Sequence, residues 1–256
     1  VKNKIVSMKE PSMSSKQSLS ILCAGILLFH LLSECASETI FTVEPIPEHI
    51  LATMMGKSLP HNVQWPVHPD DLSYLTISYW GYDDAVHVGH MIVHSKVASE
   101  ILEIFKELLD VQFPIERMEL IEKYDANDDR SMEANNTSAF CCRCITDKPG
   151  QFSNHSYGLA VDINPKTNPY IKWSTEKNKW IVYPETGKGF VDLPADGQSF
   201  PVRTESYRGI ITYDNPCYRA FKKRGWDWGG DWSQETHGKN YKDYQHFAKE
   251  PREVGL

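Results

Sequence analysis

The sequence is short of positive charge, of long apolar runs and of cysteine, and each shortage removes a class of function. Its 256 residues carry 27 Lys and Arg against 34 Asp and Glu, a formal net charge of −7. Neutralising phosphates requires a basic face, so the excess of acid excludes a dedicated nucleic-acid binder. The longest apolar run, Leu19 to Leu32, covers about 14 residues, short of the roughly 20 that span a bilayer core as a helix. No stable transmembrane anchor is expected from it. The six cysteines include no paired CxxC knuckles, which argues against a structural zinc module. Internal repeats and low-complexity tracts are also missing. Apolar residues make up 41% and aromatic residues 11% of the chain, enough to build a core and too much for a disordered protein.

The apolar run has a context. Lys2, Lys4, Lys9 and Lys16 precede it, and Ser33-Glu34-Cys35-Ala36-Ser37 follows with small residues suited to cleavage. This is the order of an export signal, expected over residues 1–36. Glu34 stands where a lipidated cysteine would want a small neighbour, so lipidation of Cys35 is the lesser alternative. Removal of the signal leaves 23 basic and 32 acidic residues, a net charge of −9, in an exported protein of the periplasm, cell envelope or extracellular space. Cys141, Cys142, Cys144 and Cys217 would then enter a compartment where disulfides form. A bridge from Cys217 to one of the other three stays open, whereas the missing CxxC knuckles count against a metal role for Cys141-Cys142-Arg143-Cys144.

Pro45, Pro47, Pro60, Pro66 and Pro69 interrupt the stretch 37–71, which reads as an extended arm or linker. The folded domain is expected over 72–256. It opens with a half-buried strand, Tyr74 to Tyr79, in which Leu75, Ile77 and Tyr79 alternate with Tyr74, Thr76 and Ser78. Val93, Val97, Ile101, Ile104, Phe105 and Leu108 recur at three- and four-residue steps, predicting a one-sided helix over His90 to Asp110. A second strand is expected over Met118 to Tyr124. The polar stretch from Asp125 to Asn136 begins like a calcium loop, but Arg130 stands where glycine is needed and Asn136 where Glu belongs, so a solvated loop is expected. Asn215 as N-cap, Pro216 at the first helical position and Gly225 beyond the end mark a short helix.

The chemistry gathers in two places. In Leu159-Ala160-Val161-Asp162-Ile163 the apolar residues point to one face and Asp162 to the other, so a strand presents a carboxylate. His155 lies on the turn before it, and His246 lies in a short strand-like segment near the C-terminus. Two imidazoles and one carboxylate give an ion such as zinc three protein ligands and leave a fourth position for water, the open arrangement of a catalytic site. Asp243, three residues before His246, stands where it can take a proton from that water.

The pattern SxHxxGxAxD over 153–162 followed by DxxHF over 243–247 resembles the zinc D-alanyl-D-alanine carboxypeptidase family, the VanY-like peptidases and their L-alanyl-D-glutamate endopeptidase relatives. Further similar stretches are Tyr79-Trp80-Gly81-Tyr82, Phe113-Pro114-Ile115-Glu116, Asn135 to Phe140, Asp162-Ile163-Asn164-Pro165 and Gly225 to Trp232, so the likeness runs over about 72–249. It implies an α+β domain with a small antiparallel sheet and packed helices around one zinc ion, as in the related Hedgehog-type fold. It also implies that His155, Asp162 and His246 are the ligands, that Asp243 is the base, and that Arg143 contacts a substrate carboxylate or carbonyl oxygen. The zinc would lower the pKa of its water toward about 7. Peptidoglycan peptides would be the substrate, cut as a D,D-carboxypeptidase or, alternatively, as an L-alanyl-D-glutamate endopeptidase. A non-catalytic zinc domain that binds wall fragments is the rival of another class, and Asp243 argues against it. Two departures from the family pattern are Cys141, where Asn is expected, and a longer connection around Glu235, Thr236, His237 and Gly238.

His49, His61, His68, His87, His90, His94 and His237 are assigned no metal. His90 and His94 have the i, i+4 spacing of a helix face but lack the glutamate of HExxH. Trp226, Trp228 and Trp232 fit a cleft wall and core packing equally. The glycosylation sequons that begin at Asn135 and Asn154 are given little weight, the latter because a glycan there would block the site.

Overall fold

The computed structural model describes residues 38–145, 148–195, 199–201, 203, 207–233 and 240–256. The export signal, Cys35 and the Glu235–Gly238 insertion lie outside these. Strand β1 is Phe41–Pro45, helix α1 Glu48–Met54, β2 Leu72–Trp80, β3 Val86–His94 and helix α2 Ser95–Asp110. The three strands form an antiparallel sheet in the order β1-β2-β3. Both faces of β2 are buried. Leu75, Ile77 and Tyr79 face the main core with α2, while Leu72 and Tyr74 face a second cluster with Met54, Leu59, Val67, Phe140 and Cys142.

That second cluster corrects the expectation of an arm over 37–71. β1 pairs with β2, and Met54 and Leu59 are wholly buried. The prolines break helices here without preventing packing, because a sheet with two apolar faces needs a cover on each. The long helix also starts later than expected. His90 to His94 belong to β3, which pairs with β2 residue by residue, and His94 then caps α2 by accepting from the Lys96 N–H. Met91, Ile92 and Val93 are buried on both faces of β3, a short apolar run that periodicity alone assigns neither to a strand nor to a helix, which blurs the junction. His90 and His94 are therefore strand residues and share no helix face.

The middle of the chain is made of short elements: β4 Arg117–Met118, helix α3 Asp128–Glu133, β5 Asn136–Thr137, β6 Cys144–Ile145, β7 Lys148–Phe152 and β8 Ala160–Asp162. The strand expected over Met118 to Tyr124 is confined to β4 and gives way to a 3-10 turn at Ile121–Tyr124, which Asp125 ends in the left-handed region at φ 57°. The expected solvated loop after it is largely packed. Asn127 caps α3, and Met132, Asn135 and Asn136 are buried, which also removes the Asn135 sequon from solvent.

The last third supplies β9 Tyr170–Ser174, β10 Lys179–Tyr183, helix α4 Pro216–Lys222, β11 Asp227–Trp228, β12 Tyr241–Asp243 and β13 His246–Ala248. Two further three-stranded antiparallel sheets result, β10-β9-β12 and β11-β13-β8. α4 begins at Asn215 and Pro216 as expected, and Gly225 beyond it takes φ 77°. The α+β class thus holds, with small antiparallel sheets and few helices, and Thr39–Leu256 is one compact unit. Cys141, Cys142, Cys144 and Cys217 are all free thiols. Cys217 sits in the main core and Cys142 in the second cluster, so the bridge left open for Cys217 is not formed. Among the described residues no helix is long and apolar enough to cross a membrane.

Candidate metal and catalytic centre

β8 and β13 bring the two motif segments together. Asp162 and His246 are direct cross-strand partners, and opposite residues of an antiparallel pair project to the same face. The Asp162 backbone is held from its other edge by Ser138 through two hydrogen bonds of 2.8 and 3.0 Å. His155 arrives on a 3-10 turn, Asn154–Tyr157, that Gly158 ends at φ 67°. A Cβ at Gly158 would stand 2.5 Å from the backbone nitrogen of His94. Only glycine satisfies both the left-handed backbone and that approach.

The three side chains converge. His155 Nε2 lies 3.1 Å from Asp162 Oδ2, and His246 Nδ1 lies 3.0 Å from Asp162 Oδ1. The two imidazoles approach to 3.2 Å. One ligand-type atom from each residue falls within 4.8 Å of the others. The other nitrogen of His155, Nδ1, is 2.5 Å from the Ala139 carbonyl. A carbonyl only accepts, so Nδ1 carries a proton and Nε2 is the nitrogen that faces the cluster. His155 and Asp162 are almost fully buried at 3% and 4% exposure, and His246 forms the more accessible side. Burial opposes ionisation of Asp162, yet the two imidazoles hold its carboxyl well below the usual carboxylate range. Burial likewise opposes a charge on His246, but hydrogen bonding to Asp162 raises its pKa.

Asp243 ends β12, and Gly229 makes room for it: a Cβ on Gly229 would meet the Asp243 Cβ at 2.6 Å and run into its carbonyl oxygen. Burial, assisted by the charge of Asp162, pushes the Asp243 carboxyl up to about 6. Its Oδ1 is buried without a hydrogen-bond partner among the described residues. Arg143 is in the same field. Its Nη2 pairs with Asp128 Oδ2 at 2.8 Å, and its buried Nε has no partner among the described residues. Burial works against the Arg143 charge, but Asp128, with Asp162 and Asp243, raises its pKa. Its backbone is clamped to the His155 turn, since the Arg143 N–H donates to Ser156 Oγ at 2.8 Å and the Ser156 hydroxyl donates to the Arg143 carbonyl at 2.7 Å.

The structure therefore brings all five expected residues into one neighbourhood. It adds Asp128 and Ser156, which position Arg143, and Ala139, which orients His155. Asp128 lay in a stretch read as a solvated loop, and no local pattern marks it. Trp226 and Trp228 are core residues at 1% exposure, whereas the Trp232 ring lies 5.7 Å from that of His246. Cys141, the departure from the family pattern, is buried, and burial pushes its thiol up to about 12. Two imidazoles and a carboxylate form a donor set that suits zinc with an open position, with the orphaned Asp243 Oδ1 and Arg143 Nε buried beside it.

A His-Asp-His group with an open position, set in an α+β domain, is an arrangement that metallopeptidases use. Residues 146–249 match the family model described as D-alanyl-D-alanine carboxypeptidase, a family whose peptidases are zinc-dependent. The match bears out the family resemblance of the sequence. It contains His155, Asp162, Asp243 and His246, while Arg143 lies just ahead of it. No curated protein and no solved structure matches the chain.

Proposed function

We propose that the protein is an exported zinc peptidase that trims peptidoglycan stem peptides, acting as a D-alanyl-D-alanine carboxypeptidase. The observation that carries this reading is the convergence of His155 Nε2, Asp162 and His246 Nδ1 beside Asp243, whose Oδ1 is buried without a partner among the described residues. His155, Asp162 and His246 would hold one zinc ion, which supplies a Lewis acid able to polarise a peptide carbonyl and acidify water. Asp243 serves as base: its Oδ1 accepts a proton during attack and returns it to the leaving amine. A carboxyl raised to about 6 is suited to both transfers near neutral pH. Arg143 directs its Nε toward negative charge on the substrate, a terminal carboxylate or the developing oxyanion. A Hedgehog-type arrangement around the ion fits the same reading, and the export signal expected over 1–36 would carry the enzyme to the wall.

Asp243→Asn should keep its zinc, measured as metal per chain, and lose hydrolysis by about 100-fold or more. His155→Ala should lose both. Parent-like turnover in Asp243→Asn would remove Asp243 from the mechanism. Zinc-replete protein that cuts no wall peptide would favour a binding domain.

A further inference from the structure

Residues 63–71 and the junction of β3 with α2 line a cavity of about 470 Å³ that shares no residue with the metal centre. Its volume falls among those of small-ligand pockets, roughly 300–1,000 Å³. Trp65, Pro66 and Val67 give it apolar walls, and Asp71 stands at its exposed rim. His94, at 3% exposure the most buried residue lining it, forms its floor. That floor carries an unspent donor. His94 Nδ1 accepts from the Lys96 N–H at 3.2 Å, and a backbone N–H only donates, so the proton of the neutral ring sits on Nε2. Burial favours the neutral ring and lowers the His94 pKa, with the charge of Asp71 opposing. Nε2 is buried without a partner among the described residues, so an incoming acceptor is favourable there. Trp65 Nε1 is committed to the Pro60 carbonyl at 2.9 Å, and the indole therefore offers the cavity its apolar surface. The His94 N–H donates to the Gly158 carbonyl at 2.9 Å, which sets the cavity one hydrogen bond from the turn that carries His155.

We propose that this cavity binds a neutral N-acetylated sugar ring of the wall glycan, its acetamido carbonyl accepting from His94 Nε2 and a ring hydroxyl donating to the Asp71 carboxylate. The choice of a wall sugar rests on the peptidase reading above, whereas the chemistry of the ligand follows from the cavity. A pyranose has a flat C–H face that packs on an aromatic ring and a polar rim that reaches hydrogen-bonding groups, the pairing that Trp65 beside His94 and Asp71 can satisfy. Asp71 Oδ2 accepts from the His68 N–H at 3.3 Å, and a carboxylate has room for further donors. A carboxylate ligand would meet the charge of Asp71 and an ammonium would meet the N–H of His94, so the ligand that suits both is neutral. An extended peptide binds by adding to a free strand edge. None is offered at His94, which pairs with Leu72 on one side and bonds Gly158 on the other.

The test is calorimetric titration of the full chain, zinc-loaded and chelator-treated, with the disaccharide of N-acetylglucosamine, with cellobiose, which lacks the acetamido group, and with a stem peptide free of sugar. The acetylated disaccharide should bind both forms of the protein, and cellobiose roughly tenfold more weakly, the scale of one hydrogen bond to an otherwise unpaired buried donor. His94→Asn keeps a side-chain oxygen to cap α2 but loses Nε2, and should bind the two sugars equally. Trp65→Ala should weaken both sugars and leave their ratio unchanged. No binding of the acetylated disaccharide, equal affinity for the two sugars in the parent, or a preference that survives His94→Asn would overturn the proposal. Binding lost on chelation would place the sugar at the metal centre, and binding of the stem peptide alone that His94→Asn removes would give the cavity to peptide; either outcome also overturns it. Since no turnover is needed, sugar binding that His94→Asn weakens in a protein that cuts no wall peptide counts against the peptidase reading and supports the cavity.

Discussion

Asp162 is restrained on three sides, by His155, by His246 and by the Ser138 backbone, so a short side chain in a short strand has little freedom left. Arg143 depends on its neighbours in the same way. Its guanidinium is set by Asp128 and its backbone by Ser156. Arg143→Met should lower kcat/KM by roughly 100-fold if it meets charge in the transition state, with Arg143→Lys recovering part. Asp128→Asn should cost roughly tenfold, mainly in KM, with zinc content unchanged. Parent-like kinetics in Asp128→Asn would show that the ion pair does not position Arg143. At this scale the ligands and Asp243 are legible in the sequence because each lies in a compact motif. Asp128 is not, because it meets Arg143 through space from a segment with no pattern of its own.

Among the elements, α2 shows what periodicity can and cannot read. Its buried face, Val97, Ile101, Ile104, Phe105 and Leu108, follows the expected stripe, but its start is set by β3 pairing with β2 and by the hydrogen bond of the His94 N–H to the Gly158 carbonyl. Such long-range contacts leave no local mark. The same explanation covers α1, whose burial depends on the far face of a sheet formed later in the chain. α2 is also clasped to the segment after α4, since Glu107 pairs with Arg224 at 2.7 Å and with Lys223 at 2.5 Å. Hydrogen bonding to Arg224, then to Lys223, depresses the Glu107 carboxyl, with partial burial opposing. A depressed carboxylate contributes stability above its unfolded pKa, about 4.3, and that contribution is lost as pH falls through the folded value. Glu107→Gln should therefore lower stability at pH 7 by less than about 1 kcal/mol, the pair being largely solvated, and the denaturation midpoints of parent and variant should converge in acid. A gap that stays constant to low pH would assign the effect to packing.

For the whole molecule, the site exists because β8 and β13 pair across more than 80 residues of chain and β12 delivers Asp243 from a neighbouring sheet. The sequence carries the residues of this arrangement and the family match covers most of them, whereas the three-sheet layout that aligns them follows from tertiary pairing. That geometry serves one proposed reaction, zinc-dependent hydrolysis of wall peptides. Incubating the purified chain with defined muropeptides, with and without chelator, and weighing the products tests it most directly. Loss of a single alanine from pentapeptide stems is expected, abolished by chelator and restored by zinc. Release of the stem peptide without its first L-alanine would instead make the protein an L-alanyl-D-glutamate endopeptidase, and cleavage that chelator leaves unchanged would contradict the zinc site itself.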